Sequence, residues 1–165
     1  MRIGALIAIV LSLLFLAGCS SYRPLYGKGP NGEGVTTALT AVTVPEQHSR
    51  SAQLVRNELL TTMGSAVPRF SLKILATEKT IDVSTLSASG LHRKRYNLVV
   101  HYELVGASAS GVLASGDSFS NVSFDTVRQP VADLQAADNA MARAAQEVGQ
   151  DIRQRIAAYF SDHQT

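Results

Sequence analysis

Tyr96-Asn97-Leu98-Val99-Val100-His101-Tyr102-Glu103-Leu104-Val105 is the clearest strand of this 165-residue chain. β-Branched and aromatic residues dominate it, and they fit a pleated, half-buried surface. Gly106 to Gly111, built of Gly, Ala and Ser, reads as a turn. Val112 to Phe124 follows as another strand, so the two form a hairpin. Ser118, Ser120 and Ser123 suggest that this last strand has an exposed or edge face. Upstream, Phe70 begins a strand that runs toward Val83, with Phe70, Leu72 and Ile74 on one face. Ser84 to Gly90 is a small, polar loop between this strand and the next, so this connection also reads as a hairpin.

The flanks supply the helices. Leu39 to Val44 alternates and is rich in β-branched residues, which predicts a first strand ended by Pro45. Ser49 can cap the helix that follows, on which Ala52, Val55, Leu59 and Met63 form one apolar stripe. Gly64 and Pro68 end it. After Pro130, a long helix from about Asp133 to about Phe160 carries Leu134, Ala137, Met141, Ala144, Val148, Ile152, Ile156 and Tyr159 at spacings of three and four. The order is β-α-β-β-β-α. A strand-helix-strand crossover favours a parallel first pair, and each striped helix must cover a sheet face. The expected fold is an α/β (α+β) two-layer sandwich, with two helices on a mixed four-stranded sheet.

The N-terminus predicts how the domain is held. Arg2 precedes an almost unbroken apolar run from Ile3 to Leu16, which ends in Leu16-Ala17-Gly18-Cys19. This is the pattern of an export signal. Its apolar run is shorter than the ~20 residues that span a bilayer. Leu-Ala-Gly-Cys resembles the lipobox of bacterial lipoproteins, and Cys19 is the chain's single cysteine. The resemblance implies cleavage before Cys19 and acylation of it by fatty acids such as palmitate. Several acyl chains hold a membrane stably. The expected organisation is a cleaved signal peptide over 1–18, a lipidated, Gly- and Pro-rich tether over 19–38 and one domain over 39–162. Ser20, rather than Asp, after the cysteine favours the outer membrane.

Composition excludes several classes. The chain has 15 Lys and Arg against 13 Asp and Glu. Cleavage would remove Arg2 and leave the mature chain close to neutral, which argues against nucleic acid as a partner. His48, His92, His101 and His163 are scattered over a loop, a turn, a strand and the tail, without metal-ligand spacing. No Gly-x-Ser-x-Gly elbow or phosphate loop occurs. No enzymatic activity, metal or cofactor is expected. One cluster stands out: Arg93, Lys94 and Arg95, after His92, enter the strongest strand. Alternation puts Arg93 and Arg95 on one face and Lys94 on the other. They read either as a solvated strand end that discourages aggregation or as an anion site. Arginine forks match phosphate, and in an envelope lipoprotein the abundant phosphorylated anion is lipopolysaccharide.

Cys19-Ser-Ser-Tyr22-Arg23-Pro24-Leu25-Tyr26-Gly27 resembles the start of the mature lipopolysaccharide-assembly lipoproteins, especially those of the α-proteobacterial branch. Arg56 to Leu59, Pro68 to Leu72, Arg93 to Tyr96 and the Ala136-Ala-Asp138 and Ala144 positions of the terminal helix are similar at the level of pattern. Ser20-Ser21 and the Gly-rich tether depart from that family. The resemblance implies a protein inside the lumen of the outer-membrane β-barrel that inserts lipopolysaccharide, where it assists barrel assembly, plugs the barrel and binds lipopolysaccharide. It also implies two helices on a four-stranded sheet. An auxiliary lipoprotein of an ABC-type intermembrane lipid transporter shares the lipobox and a small α/β domain. An envelope enzyme or enzyme inhibitor is a third class.

Overall fold

The computed structural model describes residues 34–64, 67–86, 91–106 and 111–163. They form helix α1 (Val35–Thr40), strand β1 (Val42–Thr43), helix α2 (Arg50–Leu60), strands β2 (Phe70–Leu86), β3 (Leu91–Gly106) and β4 (Val112–Thr126), and helix α3 (Pro130–Asp162). The sheet order is β1-β2-β3-β4. β1 lies parallel to β2, with Val42 opposite Phe70. β2, β3 and β4 are joined as antiparallel hairpins. The expected mixed four-stranded sheet under a helical layer is what the chain forms.

Alternation along the strands decides which face is covered. Leu72 and Ile74 of β2, Tyr96, Leu98, Val100, Tyr102 and Leu104 of β3, and Val122 and Phe124 of β4 are all buried. They meet Val55 and Leu59 of α2 and the Ala140, Ala144, Val148, Ile152, Ile156 and Phe160 stripe of α3. Ser49 caps α2 through its hydroxyl, which accepts from the Ala52 amide at 3.3 Å. Met63 is buried just beyond the last turn, and Gly64 follows at φ +111°, a conformation that favours glycine. α3 starts three residues earlier than its apolar stripe indicates, because Pro130 occupies the first turn, where a missing N–H costs nothing. Its 33 residues span roughly 50 Å.

Four local expectations are corrected. Leu39 and Thr40 belong to a helix, and β1 keeps only two residues. Val35 and Leu39, one helical turn apart, are both buried, and this tertiary burial overrides their β-branched surroundings. The tether expected up to residue 38 therefore gives way to folded chain at Val35. Ser84 to Leu86 extend β2 instead of forming a loop, and Leu91 and His92 already pair in β3. Ser118 and Ser120 are not exposed. β4 is an edge strand, but both serines face α3.

Candidate functional site

The three consecutive cations occupy the hairpin end of β3, in three different environments. Arg93 and Arg95 share the face left open by the helices, and Lys94 lies on the other face, as alternation requires. Arg93 sits directly opposite Asp125 of β4 and grips it with both arms of its fork, at 2.8 and 3.2 Å. These hydrogen bonds hold the Asp125 carboxyl below the usual carboxylate range. Lys94 sits opposite Asp82 of β2, with 3.7 Å between the charged atoms. Arg95 faces Ile81 and Ser123 in register and has no ion pair among the described residues.

The adjoining turn adds a fourth cation. Arg128 holds φ at +60°, a left-handed value that is uncommon for a side-chain-bearing residue. Its guanidinium donates to His92 Nε2 at 3.2 Å, and the Asp133 carboxylate accepts from the Val127 amide at 2.7 Å. Val83, Val127, Val131 and Leu134 are exposed at this same end. The hairpin end thus mixes cations with uncovered apolar side chains.

The open sheet face has a second apolar centre. Phe119 is 70% exposed and lies opposite Val99, and Leu75 is 69% exposed one row away. In the Leu75 row, His101 Nδ1 meets Asp117 Oδ1 at 2.9 Å, and its Nε2 stands 3.8 Å from Glu103. The hydrogen bond to Asp117 and the two negative charges raise the His101 pKa above its ordinary 6.5. Because the folded pKa is raised, the stabilising contribution is complete below the unfolded pKa and is lost as pH rises through the folded one. An NMR titration should show a His101 midpoint above 6.5, and Asp117→Asn should bring it back down. An unchanged midpoint in the variant would exclude this pairing.

The buried polar groups are structural seams. Ser118 donates to Asp151 at 2.6 Å, and Ser120 donates to Glu147 at 2.5 Å, which bolts β4 to α3. Arg155 also binds Asp151, at 2.9 Å. Tyr96 donates to Glu78, and burial, with that bond, raises its pKa. Sequence reasoning missed these seams. Their only signal was the parity of β4: Phe119 and Phe124 are five residues apart and cannot share a face. Among the described residues, no group of three His, Cys, Asp or Glu is placed to hold a metal, and no helix is long and apolar enough to cross a membrane. Cys19 and the Tyr22 to Gly27 run lie outside the described residues.

No protein-family model matches the sequence, and no curated protein matches it. Solved structures do match in fold. A candidate lipoprotein from Caulobacter crescentus CB15 is similar with a TM-score of 0.65 at 19% identity, covering 78% of this chain and 96% of that one. A minor lipoprotein from Acinetobacter baumannii gives 0.53 at 11% identity, over 71% and 88% of the two chains. Rare lipoprotein B from Shewanella oneidensis gives 0.53 at 11% identity, over 75% and 97%. The structural neighbours are thus bacterial lipoproteins, and the likeness is one of fold.

Proposed function

We propose that this chain is a non-enzymatic outer-membrane lipoprotein that partners and plugs the lipopolysaccharide-inserting β-barrel, assists its assembly and binds lipopolysaccharide. The observation that carries this reading is the family-like run from Cys19 to Gly27. The fold downstream, two principal helices on a mixed four-stranded sheet, is the one that run implies. Structural neighbours that are themselves bacterial lipoproteins support the Cys19 anchor. Affinity purification of the full-length chain from membranes tests the reading. A co-purifying outer-membrane barrel supports it. Subunits of an ABC-type lipid transporter would support the auxiliary-lipoprotein reading instead.

In this reading, the hairpin end, where cations stand beside exposed apolar side chains, is the contact for phosphorylated lipid. Arg93 and Lys94 already have carboxylate partners, so Arg95 is the best placed of the three to receive a phosphate. Arg95→Ala should weaken binding of the lipid-free domain to purified lipopolysaccharide about tenfold, the worth of one charge-assisted bond. Arg95→Lys should restore binding only in part, since an ammonium lacks the fork. Circular dichroism checks folding. Parent-like binding by Arg95→Ala would leave the cluster as a solvated strand end.

A further inference from the structure

Among the described residues, the outer edge of β4 is long and unguarded. β4 has 15 residues and ends the sheet order, and no strand pairs with its far side among the described residues. Such edges invite another chain, and proteins commonly blunt them with Lys, Pro or short length. On the other side of the sheet β1 pairs only Phe70 and Ser71 of β2, and the rest of that edge is guarded by Lys73 and Lys79. β4 has no Lys, Arg or Pro. Its two carboxylates are engaged within the sheet, Asp117 by His101 and Asp125 by Arg93.

Beside this edge runs a groove between β4 and α3. Phe124 and Asp125 line it from the strand, and Ala136, Asn139, Ala142 and Arg143 from the helix. The alanines leave room for side chains of an added strand. Among the described residues, Arg143 hydrogen-bonds to the Asn139 carbonyl of its own helix and has no carboxylate partner. With Asp125 neutralised by Arg93, the groove presents one uncompensated positive charge. The geometry points to strand addition on β4 by an extended segment of the barrel partner that carries a carboxylate where it passes Arg143. This rests on the barrel reading above. Strands within a closed barrel have both edges paired, so the segment comes from a loop or terminus.

A second copy of this chain fits less well. The two carboxylates of β4 are already engaged by His101 and Arg93, so a second copy paired along this edge brings no free β4 carboxylate to Arg143.

The test is hydrogen–deuterium exchange on the full lipidated chain, alone and co-purified with its co-expressed barrel in the same detergent. In an antiparallel edge strand about half the amides point outward. These should exchange at least tenfold more slowly in the complex. Arg143→Glu, on the exposed face of α3, should weaken the complex about tenfold and leave the domain's circular dichroism unchanged. A complex whose β4 amides exchange as in the free chain overturns strand addition and leaves the barrel reading standing. So does protection that grows with the concentration of the free chain, which would mark a second copy. If no complex forms, the barrel reading falls, and strand addition falls with it.

Discussion

Gly149→Val should lower the stability of the domain by about 3 kcal/mol and its melting temperature by roughly 10 °C. Gly149 sits in the interior of α3, where glycine is a poor helix former. It is there because α2 crosses at this point. A Cβ at residue 149 would lie 2.7 Å from Cγ and 2.9 Å from Cβ of Glu58. Those atoms belong to the root of the Glu58 side chain, so the helix itself must move. Gly149→Ala gains about 1 kcal/mol of helix propensity and loses ~1–3 kcal/mol to overpacking, so its net effect should be a small loss. Valine adds two further carbons to the same clash. Thermal unfolding followed by circular dichroism measures both. Pairing Gly149→Val with Glu58→Gly should cost less than the sum of the two single changes. A valine variant that melts with the parent would mean that the helices do not cross this closely.

The second large effect concerns the proposed anchor. Cys19→Ser should reduce incorporation of a fatty-acid probe to background and leave the chain unprocessed or soluble. A serine hydroxyl offers no thiol for acylation, and the sequence has no other cysteine to substitute for it. Since several acyl chains separate stable anchoring from marginal, reversible binding, the change in membrane fractionation should be close to complete. Metabolic labelling reads it directly, and labelling that persists in the variant would exclude Cys19 as the attachment site.

The architecture was legible where burial and period agree. Tyr96 to Val105 alternates cleanly because β3 is central and one of its faces is wholly covered. The apolar stripe of α3 is legible because it packs along much of its length. α1 was not, because Val35 and Leu39 supply a single turn of period, too short to compete with the β-branched residues around them. β4 misled because its inner face uses serines bonded to α3 and its outer face carries Phe119, which inverts the usual pattern. At the hairpin end, sequence showed three cations in a row but not their partners. Asp82 and Asp125 come from the strands on either side, and only register brings them in. The consequence for function is specific: a run of three like charges reduces to one cation, Arg95, without an ion pair among the described residues.

Whether this chain serves the lipopolysaccharide-inserting barrel, as proposed, is read from its depletion. Surface lipopolysaccharide and the level of mature barrel are measured together as the protein is withdrawn. Both should fall, since the proposed role makes barrel assembly and export depend on this chain. A depleted strain with normal amounts of both would contradict it.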